Sequence, residues 1–143
     1  MQETTGDIWD YYDNGHTIVI PTNGFVKRDG SCVMGAGVAK QAKLKFKGIE
    51  YTLGKHIQNK GNVVGLIAPN IIAFPVKYNW WEDADINLIQ TSTFELVGLQ
   101  IRHKFAKVIL PKVGCGNGRL NWQDVKPILE ALLNDKFLIV DNK

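Results

Sequence analysis

A short apolar run, a glycine-rich turn and a helix start follow one another near residue 115 and constrain the fold more than any other stretch. Val108-Ile109-Leu110 predicts a buried strand, and glycine then alternates with other residues in Gly114-Cys115-Gly116-Asn117-Gly118. Asn121 is a favourable N-cap residue, and Asp124 lies three positions later, where its side chain can reach back to the cap. This order of elements presents main-chain N–H groups to a phosphate. A flexible turn without a ligand is the competing interpretation.

Apolar runs alternate with helical patterns along the rest of the chain. The patterns predict strands at 16–20, 62–68, 71–76, 107–110 and 137–140, and helices at 38–46, 49–59, from 83 or 85 to 103, and 122–134. Pro21 is expected to end the first strand, and Pro69-Asn70 to form the turn of a hairpin. No element is predicted for residues 1–15. The alternation predicts an α/β fold, a three-layer α/β/α domain with a mixed, largely parallel central sheet.

The length and composition are those of one ordinary globular domain. The 143 residues are 45% apolar and 22% charged with a formal net charge of +3, and we expect a single domain over 1–143. Cys32 and Cys115 form no CxxC pair, and no His/Cys cluster has metal-ligand spacing, so we expect neither a disulfide framework nor a metal site. No secretory signal or membrane-length apolar run is visible. We therefore expect a cytoplasmic protein without membrane association, present as a monomer.

A second glycine loop supports the interpretation of the first loop as part of a ligand-binding site. Gly35-Ala36-Gly37 precedes the predicted helix 38–46, while Asn23 and Lys77 follow predicted strands. In sheets of this kind the ligand crevice lies outside the carboxyl ends of the strands. Both loops, Asn23 and Lys77 should therefore converge on one crevice. Two main-chain cradles suit a diphosphate better than a single phosphate.

Four successive motifs resemble those of the macro domain family, and the resemblance extends from about residue 1 to residue 141. They are Gly6-Asp7-Ile8, Ile20-Pro21-Thr22-Asn23, Met34-Gly35-Ala36-Gly37-Val38-Ala39 and Gly114-Cys115-Gly116-Asn117-Gly118-Arg119-Leu120-Asn121-Trp122. The resemblance is strongest to the branch that contains the DarG antitoxin macro domain, the terminal ADP-ribose glycohydrolase of animals and the ADP-ribose 1''-phosphate phosphatases. It implies a macro-domain fold and ADP-ribose as ligand, with no cofactor.

The resemblance also implies a binding role for each motif. Asp7 would accept a hydrogen bond from the adenine amino group, beside the main chain of Ile8. The two loops would enclose the diphosphate and the distal ribose through Gly35, Ala36, Gly37, Val38, Gly114, Cys115, Gly116, Asn117, Gly118 and Arg119. Without the family, Asp7 would be interpreted as a turn or surface carboxylate.

Two residues would carry the chemistry implied by the resemblance. Lys77 would attack or protonate at the anomeric carbon of the distal ribose, and Asn23 would hydrogen-bond the ribose hydroxyls. A lysine acts in this way only if burial or a nearby cation lowers its pKa from about 10.4. The competing interpretations are a solvated lysine at a strand end and a turn-forming asparagine before Gly24. Gly118 stands where the animal glycohydrolase has an aspartate, so a Lys/Asp pair is not expected.

The predicted function is binding of ADP-ribose and hydrolysis of an ADP-ribose derivative. The leading reaction removes ADP-ribose from a macromolecule, either protein or nucleic acid. Hydrolysis of ADP-ribose 1''-phosphate and non-catalytic reading of ADP-ribose are the alternatives. Trp80 and Trp81 beside Lys77 would close over the ribose, stack on a nucleic-acid base or serve packing alone. Cys115 is interpreted as a small loop residue rather than a nucleophile.

Overall fold

The computed structural model describes residues 1–142, which form one mixed six-stranded sheet with helices on both faces. The sheet has the order β1-β6-β5-β2-β4-β3, and every neighbouring pair is parallel except the antiparallel pair β3–β4. The strands are β1 (Gln2–Gly6), β2 (Thr17–Asn23), β3 (Gly65–Ala68), β4 (Ile71–Lys77), β5 (Val108–Leu110) and β6 (Phe137–Asn142). The helices are α1 (Ile8–Asp13), α2 (Gly37–Lys45), α3 (Ile49–Lys60), α4 (Ile86–His103) and α5 (Trp122–Glu130).

Two hydrophobic cores lie on opposite faces of the sheet. Successive strand side chains point to opposite faces, so Ile18 and Ile20 of β2 pack with α1, α2 and α3, while Val19 packs with α4 and α5. All three side chains are fully buried, as expected for a strand covered on both faces. The predicted three-layer architecture with a largely parallel sheet is confirmed.

The N-terminal segment contains two elements that the sequence patterns do not predict, the strand β1 and the short helix α1. Residues 2–6 form β1, an edge strand that pairs in parallel with β6 from Gln2↔Leu138 to Gly6↔Asn142. Most of this strand is exposed, so it lacks the alternation of apolar residues by which a strand is recognised. Its strand conformation comes from main-chain pairing with a segment more than 130 residues away.

Pro21 does not end β2, as the sequence analysis expects, because the strand continues to Asn23. A proline inside a strand removes one main-chain donor and is tolerated where that donor would have no partner. β5 pairs with β2 only at Thr17 and Ile18, so the outer part of β2 has a neighbour on one side alone. Because β2 includes residues 21–23, Asn23 lies at the carboxyl edge of the sheet.

The remaining elements agree with the predictions apart from their ends. The predicted strand 62–68 is shorter, and α5 ends at Glu130 rather than near 134. Asp85 caps α4, and its Oδ1 accepts hydrogen bonds from the N–H groups of Asn87 and Leu88. Asn121 occupies the N-cap position of α5, but its side chain makes no capping hydrogen bond.

Within residues 1–142, no helix combines the length and the apolar character needed to span a bilayer.

Candidate functional site

A cavity of about 880 Å³ opens at the carboxyl ends of β2, β4 and β6 and beyond the end of β5. This volume lies within the range typical of small-molecule sites. Its lining includes both glycine loops together with Asn23 and Lys77. The structure therefore brings together the loops that the sequence analysis expects on one rim of the sheet. They form two walls of a single groove.

The first wall is the segment 33–38, which leads into α2. Gly37 begins the helix with φ +57°, a left-handed conformation that side-chain-bearing residues rarely adopt. The N-cap residue Ala36 offers no side-chain hydrogen bond. The main-chain N–H groups of Gly35, Ala36 and Gly37 donate to no other atom of residues 1–142. The positive end of α2 is thus open toward the cavity.

The second wall is the loop 114–119. Leu120 N–H donates to the oxygen of Gly114 at 3.0 Å, and Arg119 N–H donates to the oxygen of Gly116 at 3.1 Å. These two bonds fold the loop on itself. The N–H groups of Gly116, Asn117 and Gly118 have no acceptor within the described chain. Consecutive free N–H groups in a tight loop form an anion-binding concavity.

Lys77 lines the cavity at the end of β4 and contacts the second wall. Its side chain is 7% exposed, and Nζ donates to the main-chain oxygen of Asn117 at 3.4 Å. Burial lowers the pKa of Lys77; the nearby Arg119 guanidinium also lowers it, whereas the Asp83 carboxylate acts in the opposite direction. The structure thus excludes a solvated surface lysine. A buried amine with a lowered pKa has the two properties that a catalytic lysine requires.

Asn23 holds its own loop in place at the end of β2. Its Nδ2 donates to the main-chain oxygen of Val33 at 2.9 Å, and its Oδ1 accepts from Phe25 N–H at 2.9 Å. The amide therefore ties β2 to the start of the first wall. Cys32 Sγ lies 3.6 Å from the same Oδ1, so the second N–H of the amide is the group still available for a ligand. Asn23 lines the cavity, so a structural role and a ligand contact are compatible.

The loop between β4 and α4 is fastened to the second wall. Ala84 N–H donates to the oxygen of Gly118 at 2.9 Å, and the Asp83 carboxylate lies 3.6 Å from the Arg119 guanidinium. Both charged side chains are mostly exposed, so the ion pair itself contributes little stability. The main-chain bond joins the segment after Lys77 to the glycine loop.

Gly118 cannot carry a side chain in this arrangement. A Cβ atom at this position would lie 2.5 Å from the Gly114 oxygen and 2.8 Å from the Ala84 Cβ. Glycine is therefore required here by close packing. The carboxylate that the animal glycohydrolase has at the matching position is incompatible with the backbone of this chain.

Asp7 and Ile8 lie outside the cavity lining. Asp7 is the N-cap of α1, and its Oδ1 accepts from Trp9 N–H at 2.9 Å, while Ile8 is 5% exposed within the core. They directly follow Gly6, whose strand partner Asn142 does line the cavity. Asp7 is thus positioned beyond one end of the groove, and its predicted contact with adenine stays a prediction.

Several lining residues were not predicted from sequence. Asp141 and Asn142 at the end of β6 line the cavity, as do Phe25 and Lys27. The first two could have been found, since the carboxyl end of a fourth parallel strand must meet the same rim. Phe25 and Lys27 belong to an irregular loop whose path no local pattern specifies.

Cys115 behaves as the sequence analysis interprets it. Its Sγ lies 3.5 Å from the main-chain oxygen of Val113, and burial raises the pKa of the thiol. A thiol with a raised pKa is a poor nucleophile. Residues 1–142 contain no group of three or more His, Cys, Asp or Glu side chains arranged to hold a metal ion.

Comparison with known proteins agrees with this geometry. The family model of the macro domain matches residues 39–129, more than half of the chain. The DNA ADP-ribosyl glycohydrolase of Mycobacterium tuberculosis (strain ATCC 25618 / H37Rv) is 31% identical over 106 residues, which cover 66% of this chain and only 30% of that relative.

Two solved structures show the same fold. The macrodomain of Mycobacterium tuberculosis DarG has a TM-score of 0.81 at 23% identity, covering 98% of this chain and 95% of that one. Thermosipho africanus DarTG in complex with ADP-ribose has a TM-score of 0.75 at 19% identity, covering 100% of this chain and 42% of that one. The chain therefore belongs to the macro domain family.

Proposed function

We propose that this macro domain binds ADP-ribose and removes it from a modified macromolecule by hydrolysis at C1'' of the distal ribose. One observation carries the proposal. The buried amine of Lys77 lines the same cavity as two main-chain loops whose N–H groups have no acceptor within the described chain. The loops provide anion binding, and the amine provides a reactive group beside it.

The two walls suit the pyrophosphate of ADP-ribose. Gly35 to Gly37 and Gly116 to Gly118 line the same cavity, and their N–H groups have no acceptor within the described chain. Arg119 adds an exposed cation to the second wall. A diphosphate held from both sides fixes the position of the distal ribose, and such positioning contributes much of the rate of an enzyme.

The lowered pKa of Lys77 favours its neutral amine as the nucleophile. In that mechanism the amine forms a bond to C1'' while the bond from C1'' to the macromolecule breaks, and the leaving atom takes up a proton. Water then attacks C1'', the Lys77–C1'' bond breaks, and free ADP-ribose and the amine are released. The same lysine in its protonated form could instead donate the proton to the leaving atom.

The relatives suggest which macromolecule to test first. The similar M. tuberculosis protein is named a DNA ADP-ribosyl glycohydrolase, and the T. africanus structure contains ADP-ribose. That name makes ADP-ribosylated DNA the first candidate substrate. It is a candidate to be tested, because this chain corresponds to less than a third of that glycohydrolase. ADP-ribosylated protein is the second.

Calorimetric titration with ADP-ribose, ADP and AMP tests the binding site. We expect ADP-ribose to bind tightest, because only ADP-ribose reaches from the diphosphate walls to Lys77. Equal affinity for ADP and ADP-ribose would mean that the distal ribose has no site here, and the proposal would be wrong.

A substrate panel tests the reaction. The purified protein is incubated with ADP-ribosylated DNA, ADP-ribosylated protein and ADP-ribose 1''-phosphate, and released ADP-ribose is measured by chromatography. Release from a macromolecule supports the proposal. Release from ADP-ribose 1''-phosphate alone would identify a phosphatase, and binding without any release would identify a reader.

A further inference from the structure

Three aromatic side chains form a continuous cluster at the mouth of the cavity. Trp81 packs edge-to-face against Phe25 with ring centroids 5.5 Å apart, and against Trp80 with centroids 5.6 Å apart. All three line the cavity that contains Lys77. We call Phe25, Trp80 and Trp81 the aromatic platform.

The two tryptophans of the platform lie in a loop that is held by hydrogen bonds at both of its ends. Asn79 N–H donates to Glu82 Oε1 at 2.8 Å, and Glu82 N–H donates to the Asn79 oxygen at 3.2 Å. These bonds close a turn that has both tryptophans at its corners. Asp85 N–H bonds the oxygen of Val76, which fastens the far end of the loop to β4. A surface that is already ordered loses little entropy when it binds a ligand.

Trp80 and Trp81 belong to neither of the two hydrophobic cores, and both are substantially exposed. Trp80 is 49% exposed and Trp81 is 59% exposed. Single exposed apolar residues are common, but a contiguous apolar patch at the rim of a cavity marks a binding surface. Aromatic rings at such a site stack on flat ligand groups, and nucleobases are the common flat groups of macromolecules.

The charges beside the platform favour a polyanion. Lys27 lines the cavity and Arg28 follows it, both exposed, and neither forms an ion pair within residues 1–142. The neighbouring carboxylates keep their negative charge, but each has a local partner, and Asp83 pairs with Arg119. Asp29 accepts from the N–H and the hydroxyl of Ser31, and Glu82 accepts from Asn79 N–H. Aromatic rings flanked by free cations are the combination that binds single-stranded nucleic acid.

We propose that the aromatic platform stacks a nucleobase of single-stranded DNA while the modified nucleotide places its ADP-ribose in the cavity. The proposal rests on the proposed function and names the residues that select the leaving group. Lys27 and Arg28 contact the phosphates of the same strand. Duplex DNA is disfavoured because a base would first have to be unstacked and unpaired before it could stack on the platform.

The experiment compares a double variant, Trp80→Ala with Trp81→Ala, with a matched control. Tyr78→Ala is the control because Tyr78 belongs to the same loop, is 54% exposed and does not line the cavity. Binding of an unmodified, fluorescein-labelled single strand of about ten nucleotides is followed by anisotropy. Calorimetry measures ADP-ribose affinity, and steady-state kinetics use an ADP-ribosylated oligonucleotide and an ADP-ribosylated peptide.

We expect the double variant to bind the oligonucleotide at least about tenfold more weakly and to raise KM for the modified oligonucleotide by a similar factor. Its losses in ADP-ribose affinity and in kinetics on the peptide should be several-fold smaller than its loss on the oligonucleotide, because neither ligand offers a nucleobase beyond ADP-ribose itself. Phenylalanine at both positions should restore most of the affinity, since it keeps a ring that stacks.

Three outcomes would overturn the proposal. They are unchanged oligonucleotide affinity and KM in the double variant, equal losses with the peptide, and equal losses in Tyr78→Ala. The oligonucleotide affinities, measured by anisotropy on an unmodified strand, do not depend on whether ADP-ribose binds, whereas the KM values and the peptide kinetics require turnover. If the wild-type protein does not bind ADP-ribose, the proposed function is wrong. The anisotropy measurement would still show whether the platform binds the oligonucleotide.

Discussion

The amine of Lys77 donates a hydrogen bond to the main-chain oxygen of Asn117, 3.4 Å away and 40 residues later in the chain. This contact joins the end of β4 to the glycine loop that forms the second wall of the cavity. The N–H groups of that loop are open toward a ligand, while one of its oxygens orients the lysine. Anion binding and the reactive amine are therefore positioned by the same loop.

Replacement of Lys77 by alanine should abolish turnover and largely preserve binding. The nucleophile is lost, and the loops that hold the diphosphate stay in place. We expect kcat on the active substrate to fall by a factor of about 100 or more, while the calorimetric affinity for ADP-ribose changes by less than about threefold. Lys60→Ala, at an exposed position of α3, is the control. Wild-type turnover in Lys77→Ala would show that the amine takes no part in the reaction.

The rate should rise with pH through a midpoint below about 10.4, the usual pKa of lysine. Burial lowers the pKa of Lys77, so the neutral amine becomes populated at a lower pH than in a free lysine. Because the nucleophile must be neutral, kcat should increase as the amine loses its proton and then level off. A kcat that falls over the same interval would show that the protonated form acts, as a general acid.

Substitution by alanine should destabilise the protein at Gly118 and have little effect at Gly116. Gly118→Ala places a Cβ atom 2.5 Å from the Gly114 oxygen, whereas a Cβ at Gly116 meets nothing within 4 Å. We expect Gly118→Ala to lower the free energy of unfolding by about 1–3 kcal/mol and to weaken ADP-ribose binding. Gly116→Ala should change stability by less than about 0.5 kcal/mol. Denaturant unfolding of both variants measures the difference; equal stabilities would mean that the loop relaxes freely.

Two substitutions of Asp7 should distinguish a role in capping α1 from a role in binding ADP-ribose. One carboxylate oxygen caps α1 by accepting from Trp9 N–H, and the predicted adenine contact would use the other. Asp7→Asn keeps a capping oxygen but replaces the second acceptor with an NH₂ group. We expect Asp7→Asn to retain stability and lose about tenfold in ADP-ribose affinity. Asp7→Ala should also lose about 1 kcal/mol of stability. Unchanged affinity in Asp7→Asn would restrict Asp7 to capping.

Local patterns were sufficient for most elements and for the main parts of the site. The apolar run at 71–76 predicts a strand, and the structure has β4 there, fully buried. The loop 114–118 follows the order strand, glycine, helix, while Gly35-Ala36-Gly37 precedes a predicted helix, and both are expected at the carboxyl edge of the sheet. The single domain over 1–143, the monomeric state and the cytoplasmic location stay predictions.

The sequence by itself determined the alternation of strands and helices and the two glycine loops, because side-chain periodicity and glycine placement are local properties. Only the tertiary structure decided that residues 2–6 form a strand, that Lys77 is buried and that Phe25 meets Trp81. The polar β1 is a strand only through its main-chain pairing with β6. Each of these features depends on contacts between distant parts of the chain, and no local pattern of residues encodes those contacts.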